Sequence, residues 1–134
     1  MEVEISRIII SEIMDAQAIL LKEKDGNRTI PIIIGIVEAL ALDRAIKAKK
    51  AIRPMTHDLL VSILEILQCK LQRVIINDLK GGTFFAELHL EQNGKSYTID
   101  CRPSDALVLA SHFKSPIYVL EDVFLKTENP SDEE

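Results

Sequence analysis

Three short turn signals, each set between runs of apolar and β-branched residues, constrain the fold of this 134-residue chain more than any other feature. They are Asp25-Gly26, Gly81-Gly82 and Asn93-Gly94. Dipeptides of this kind favour the positive φ values of tight hairpin turns. Each turn therefore predicts an antiparallel pair of strands, and we expect a sheet built largely from hairpins.

Helical periodicity appears in three other segments, at residues 36–49, 57–68 and 104–113. With strands before, between and after them, the predicted order is β-β-β-α-α-β-β-β-α-β. Runs of strands followed by helices indicate an α+β fold rather than a doubly wound parallel sheet. We predict one α+β domain over residues 1–126, with a mixed, largely antiparallel sheet and about three helices. The predicted strands are 3–10, 16–23, 28–34, 71–79, 83–91, 95–101 and 117–120.

The net charge of −5 belongs to the C-terminal end of the chain. Residues 1–120 carry 15 acids and 15 bases, whereas residues 121–134 carry six acids and one base. Residues 127–134 contain no apolar side chain that would dock them, so we predict an acidic disordered tail there. The neutral body still contains a basic stretch, Arg44 to Arg53, which is either a solvated helix face or a phosphate-binding patch.

Other classes of protein are disfavoured by what the sequence lacks. It has no apolar run long enough to cross a bilayer or to serve as a signal peptide, so we expect a cytoplasmic protein with no membrane partner. Cys69 and Cys101 lie outside any metal or redox spacing and are expected to be buried free thiols. Aromatic residues make up only 4% of the chain, too few for a ring-bearing nucleic-acid face.

Two predicted helix starts share an arginine that needs a partner. Arg53-Pro54 precedes Thr56, and Arg102-Pro103 precedes Ser104. Proline suits a first turn, and Thr and Ser suit caps, but a cation there opposes the helix dipole. Each arginine is therefore expected either to pair with a carboxylate, such as Asp100 for Arg102, or to bind a phosphate together with free N–H groups.

His57 and several acids are the other candidates for chemistry. A helix start disfavours the protonated imidazole, which suits His57 to act as a general base, although a structural hydrogen bond explains it equally well. Phosphodiester hydrolysis often uses a metal ion held by carboxylates. The acids considered are Glu38, Asp58, Asp78, Asp100 and Asp105; helix-start or turn roles account for all of them except Asp100.

Four blocks of the sequence resemble the bifunctional nuclease domain family. The blocks are residues 30–35 with Glu38-Ala39, residues 53–60, residues 82–86 and residues 100–106. Two positions depart from the family pattern, Phe85 in place of a tyrosine and Cys101 in place of a small residue. Neither departure touches a charged position of the motifs.

The resemblance implies a small α+β homodimer with nuclease activity on DNA and RNA and little sequence preference. Apolar helices and strands that exceed what one small body covers also favour a dimer. The alternative is a non-catalytic dimeric binding or regulatory module. Membership of the motifs and the chemistry above select catalytic His57, Asp105 and Glu38; phosphate-binding Arg53, Arg102, Thr56 and Ser104; and Asp58 and Asp100 as ligands of Mg²⁺ or Mn²⁺.

Overall fold

A computed structural model describes residues 1–11 and 16–128, and the described residues form seven strands and four helices. The fold is α+β, as predicted, with one helix more than the sequence indicated. The strands are β1 (Glu2–Ile10), β2 (Gln17–Glu23), β3 (Thr29–Ile34), β4 (Lys70–Lys80), β5 (Thr83–Gln92), β6 (Lys95–Cys101) and β7 (Ile117–Val119). The helices are α1 (Ile36–Lys47), α2 (Thr56–Ile66), α3 (Pro103–Phe113) and α4 (Glu121–Glu128).

All seven strands form one mixed sheet in the order β3-β2-β1-β7-β4-β5-β6. The three predicted hairpins, β2–β3, β4–β5 and β5–β6, are all antiparallel. The short strand β7 joins the two halves of the sheet, because it pairs antiparallel with β1 and parallel with β4. The prediction of a mixed, largely antiparallel sheet is confirmed.

The turn chemistry holds for two hairpins and differs in the third. Gly81 and Gly82 have φ values of 56° and 79°, and Asn93 and Gly94 have 51° and 79°, as tight turns require. The loop at Asp25-Gly26 is longer and does not use a positive φ at Gly26. It is closed instead by a backbone hydrogen bond from Glu23 N–H to the Arg28 carbonyl.

Helix α3 is the central helix of the layer that covers the sheet. Its residues Ala106–Ala110 are all buried, so it packs on every side rather than on the single face expected from periodicity. Periodicity gives α1 and α2 one apolar face each, but several large residues of these faces are not buried in this core. Val37 and Leu40 are exposed on α1, as are Leu59 and Ile63 on α2.

The helix caps also differ from the prediction. Met55 and Arg102 are the N-cap residues of α2 and α3, so Thr56 and Ser104 lie inside the first turns and do not cap them. The carboxylate of Asp58 takes over at α2, where its Oδ2 accepts a hydrogen bond of 2.8 Å from the Met55 N–H.

Helix α4 was not predicted from the sequence. Val123 and Phe124 bury its inner side, and Arg28 holds its start by bonding Glu121 and Glu23 while lying 4.3 Å from the centre of the Phe124 ring. The helix includes residues 127 and 128, the first two of the predicted tail. Residues 129–134 lie outside the described residues, so the disordered tail remains a prediction there.

No helix within residues 1–11 and 16–128 is long and apolar enough to cross a membrane.

If α4 belongs to the core, Phe124→Ala should lower the free energy of unfolding by about 3–5 kcal/mol, because it removes a fully buried ring. Leu120→Ala, at an exposed side chain just before the helix, should change it by no more than about 0.5 kcal/mol. Urea unfolding measures both. Equal, small effects would mean that α4 does not contribute to folding stability.

Candidate functional site

The first turns of three helices bring four of the predicted residues together. Glu38 lies in the first turn of α1, which follows strand β3 through Gly35. His57 is the second residue of α2, and Arg102 and Asp105 belong to the start of α3, directly after β6. The chain enters each helix at the same end of the layer, so residues far apart in sequence become neighbours.

One continuous set of hydrogen bonds connects these four side chains. His57 Nε2 lies 2.9 Å from Asp105 Oδ1. Arg102 binds Asp105 through two donors, with Nε 2.9 Å from Oδ2 and Nη2 3.0 Å from Oδ1. Its remaining terminal nitrogen, Nη1, donates to Glu38 Oε1 at 3.2 Å. We call Glu38, His57, Arg102 and Asp105 the helix-start cluster.

Asp105 is the electrostatic centre of the cluster. The hydrogen bond from His57 and then the contact with Arg102 lower its pKa from 3.8 to about 2, against the opposing effect of burial. The ionised carboxylate can only accept hydrogen bonds, so the proton between Asp105 and His57 resides on Nε2. When the ring is neutral, this leaves His57 Nδ1 as an acceptor, the state that a general base requires.

Glu38 depends on the absence of a side chain at Gly35. A Cβ on Gly35 would lie 2.6 Å from Glu38 Oε2, so the Glu38 carboxylate would have to move from its observed position. The backbone of Gly35 has φ −80°, a value open to any residue, so the glycine matters for the observed Glu38 conformation and not for the backbone. The carboxylate of Glu38 can thereby fold back toward the start of α1 and meet Arg102.

An open cleft of about 350 Å³ lies beside the cluster. Glu38, Arg102 and Ser104 line it, whereas His57 and Asp105 are not among its lining residues. Its other walls come from the end of β3 and from the β4–β5 turn. The residues of these walls were not predicted as site residues. They are Ile32–Gly35, Gly82–Phe84 and Pro103. All of them belong to the sequence blocks that carried the family resemblance, and this was the signal by which they could have been found.

Several predicted site residues lie outside the cluster. Arg53 and Thr56 are exposed and do not line the cleft. Asp58 accepts a hydrogen bond from the Met55 N–H, and Asp100 is exposed on the edge strand β6. Asp78, also considered as an acid, pairs with Lys126 at 2.8 Å. The suggested pairing of Arg102 with Asp100 is replaced by pairing with Asp105 and Glu38.

The predicted metal ligands do not assemble into a metal-binding set. Within the described part of the chain, no group of three or more His, Cys, Asp or Glu side chains is placed to hold an ion. The carboxylates of the cluster already accept hydrogen bonds from Arg102 and His57. Carboxylates that are already hydrogen-bonded in this way do not fit a resident Mg²⁺ or Mn²⁺ ion.

The two cysteines are free and half-buried. Burial raises the pKa of the Cys101 thiol to about 12, and the nearby carboxylates of Asp105, Asp100 and Glu87 add to the effect. Cys101 therefore stays protonated at neutral pH. It is not a nucleophile, although it lies next to Arg102.

Comparison with known proteins fits this arrangement. The sequence profile of the bifunctional nuclease domain matches residues 19–132. The chain belongs to the bifunctional nuclease domain family. The matched region contains the whole helix-start cluster and all the residues that line the cleft.

Relatives of this bifunctional nuclease domain occur in bacteria and plants. An uncharacterized protein of Mycobacterium tuberculosis is 36% identical over 137 residues, covering 99% of this chain and 82% of that protein. Bifunctional nuclease 2 of Oryza sativa subsp. japonica is 33% identical, covering 76% of this chain and 33% of that protein. Bifunctional nuclease 1 of Oryza sativa subsp. indica is 27% identical, covering 76% and 32%. The chain thus spans about a third of the rice proteins.

The lowered pKa of Asp105 predicts a pH-dependent contribution to stability. A carboxyl group whose pKa is lower in the folded state stabilises the fold above its unfolded pKa, and the effect is lost as pH falls through the folded value. For Asp105, this stabilisation is therefore lost between about pH 4 and about pH 2. The full shift corresponds to roughly 2.4 kcal/mol, which partial exposure reduces to about 1–2 kcal/mol.

Between pH 5 and pH 2, wild-type protein should therefore lose about 1–2 kcal/mol more stability than Asp105→Asn. Asp100→Asn is the matched control, since Asp100 is exposed on β6, and it should follow the wild type. Urea unfolding at a series of pH values measures the difference. Parallel profiles for wild type and Asp105→Asn would contradict the strong pairing of this carboxylate.

Proposed function

We propose that this protein is a nuclease that hydrolyses phosphodiester bonds of DNA and RNA with little sequence preference. The observation that carries the proposal is the hydrogen-bonded cluster of Glu38, Arg102, Asp105 and His57 at the edge of a cleft. Membership of the bifunctional nuclease domain family and the printed names of the rice relatives support it. Clefts that hold a few convergent polar groups are the usual location of active sites.

In this proposal His57 acts as the general base. Asp105 holds the ring through Nε2, and Nδ1 takes a proton from the attacking water while the water oxygen bonds to phosphorus. The bond from phosphorus to the leaving nucleoside oxygen breaks, and that oxygen is protonated by the imidazolium or by solvent. Asp105 stays ionised throughout and stabilises the imidazolium, as its low pKa requires.

Arg102 is proposed to stabilise the charge that develops on the phosphoryl oxygens. A guanidinium has five N–H donors, and three are used by Asp105 and Glu38. The two that remain are available to a phosphate, and the Arg102 side chain is 63% exposed. Glu38 is proposed to orient this guanidinium toward the cleft.

A non-catalytic binding or regulatory module is the alternative, and one observation favours it. The cluster joins the starts of α1, α2 and α3, and each of its charges already has a partner. Such a network stabilises a helix layer without any substrate. In that case substitutions in the cluster would lower stability, and the protein would have no nuclease activity to lose.

A requirement for Mg²⁺ or Mn²⁺ also remains a proposal. Since the described carboxylates do not form a metal-binding set, no step above is assigned to the ion. Magnesium often reaches nucleotide sites on substrate phosphates with only one or two protein carboxylates. Cleavage measured in EDTA and in added Mg²⁺ or Mn²⁺ shows whether the reaction requires a divalent ion or proceeds without one.

Purified protein should cleave labelled single-stranded DNA and RNA, and the cluster variants His57→Ala, Arg102→Ala and Asp105→Asn should each slow cleavage by about 10²–10³-fold. Gel assays under single-turnover conditions measure the rates. Gly35→Ala should also slow cleavage, because the added methyl group displaces Glu38.

His89→Ala is the matched control for these variants. His89 and Glu87 form a histidine–carboxylate pair of the same length, 2.9 Å, on strand β5 and outside the cluster. Its loss should leave cleavage unchanged, and thermal melts should verify that every variant is folded. Undiminished cleavage in all cluster variants, which would indicate a contaminating nuclease, or no cleavage by wild type with either ion, would refute the catalytic proposal.

We also propose that the protein is a homodimer, formed through α2. Val61 is the only buried residue of α2, every residue of which is described. Leu59, Ile63 and Ile66 are 57%, 43% and 80% exposed, so an apolar helix face lacks a partner among the described residues. A second copy offers the same face, and two such faces fit an isologous, two-fold contact.

Light scattering on wild type at micromolar concentration should therefore give twice the mass of the chain, and Ile66→Glu should give a monomer. Gln72→Glu introduces the same charge at an exposed position of β4 and should remain dimeric. A monomeric wild type, or a dimeric Ile66→Glu variant, would show that α2 is not the interface.

A further inference from the structure

The loop between α1 and α2, residues 48–55, carries an uncompensated positive charge. Lys49, Lys50 and Arg53 are all exposed, and no described carboxylate lies within ion-pairing distance of them. Lys47, just before the loop, differs because it pairs with Asp43 at 3.1 Å. From residue 44 to residue 57 the sequence contains no acid. We call residues 48–55 the basic loop.

The helix-start cluster, in contrast, offers little attraction to a polyanion. Its two carboxylates face one guanidinium, so its net charge is −1 with neutral His57 and zero with protonated His57. Affinity for nucleic acid comes mainly from cations that neutralise backbone phosphates. A nuclease with this cluster needs positive charge from elsewhere on its surface.

The basic loop is within reach of the cluster. Helix α1 rises about 1.5 Å per residue, so the start of the loop lies roughly 15 Å from Glu38 at the other end of the helix. Arg53 is four residues before His57 and lies at most about 14 Å from it. A strand of only a few nucleotides spans this distance.

The loop is also anchored at both ends. Lys49 N–H donates to the Arg44 carbonyl at 3.0 Å where α1 ends, and Arg44 Nη1 donates to Met55 Sδ at 2.7 Å where α2 begins. Between these contacts Ile52 is fully exposed, so the charges surround an apolar side chain. That combination suits a strand of nucleic acid, with the charges on phosphates and Ile52 against a base.

We propose that the basic loop binds the sugar–phosphate backbone of single-stranded nucleic acid and guides it to the helix-start cluster. The proposal rests on the proposed nuclease function, and it assigns affinity to the loop and chemistry to the cluster. A membrane surface is disfavoured as the ligand of this loop. One exposed isoleucine and three basic side chains do not form the extended apolar helix face that interfacial binding uses.

The test compares two triple variants with the same change in net charge. Lys49→Gln/Lys50→Gln/Arg53→Gln neutralises the loop, and Lys70→Gln/Lys95→Gln/Lys114→Gln neutralises three exposed lysines elsewhere. Binding of labelled phosphorothioate poly(dT) is followed by fluorescence anisotropy over a range of salt concentrations. Wild type should bind, the loop variant should bind more weakly, and its slope of log Kd against log salt should fall by about 2. The control should match wild type.

Catalytic assays separate this proposal from the nuclease proposal. The loop variant should raise KM and leave kcat unchanged. If wild type binds poly(dT) through the loop but cleaves nothing, the nuclease proposal fails and the loop proposal stands. If wild type cleaves and the loop variant keeps its KM and Kd, the loop proposal fails alone.

Three other results would overturn the loop proposal. Wild type that binds no poly(dT) is one, and an equal loss in both triple variants, which would indicate overall charge only, is another. The third is loss of binding to phosphatidylserine vesicles, with poly(dT) binding unchanged, in the loop variant.

Discussion

The carboxylate of Asp105 is the contact on which the arrangement of the helix layer depends. It accepts hydrogen bonds from His57 at the start of α2 and from Arg102 at the start of α3, and Arg102 extends the connection to Glu38 on α1. Three helices, of which α1 and α3 contact strands of the sheet and α2 contacts α3, are thereby aligned at one end. Without this carboxylate, the guanidinium and the imidazole would face each other as two donors with no acceptor between them.

For this reason the residues of the candidate site also contribute to the packing of the fold. Helix α2 buries only Val61, so few apolar contacts with the described residues hold its start in place. The polar contact of His57 with Asp105 compensates for that weak packing. The charges that make the cluster chemically interesting are thus also the charges that position α2, and activity and stability have to be measured together in every variant.

Most of the architecture was predictable from the sequence, because hairpin turns are local. Gly81-Gly82 and Asn93-Gly94 specify their turns through backbone geometry alone, and the strands on either side follow. Helix α4 was missed because its polar sequence looks like a tail, and Phe124 is held by Arg28, a partner 96 residues away in the chain. Periodicity identified an apolar face on α1 and on α2 but could not show what covers it, so the exposure of Val37 and Leu59 was not predicted.

The candidate site was predictable only in part, for a related reason. The arginine at the start of α3 was identified as needing a partner, but its true acceptors are Asp105, three residues on, and Glu38, 64 residues away. No local pattern determines that second contact, which depends on how α1 and α3 pack. The sequence also could not show whether Asp58 and Asp100 come together. Carboxylates suit a metal ion, but in the structure neither residue belongs to a described group that could hold one.

We propose above all that the cluster and its cleft bind the phosphodiester that is cleaved. Nitrogen-15 NMR of the His57 and Arg102 side chains during titration with a phosphorothioate thymidine dinucleotide tests it most directly. We expect the signals of both side chains to shift saturably, with the same Kd as the backbone amides of Gly35 and Thr83, which line the cleft. Unchanged side-chain signals at a dinucleotide concentration that saturates shifts elsewhere on the protein would contradict it.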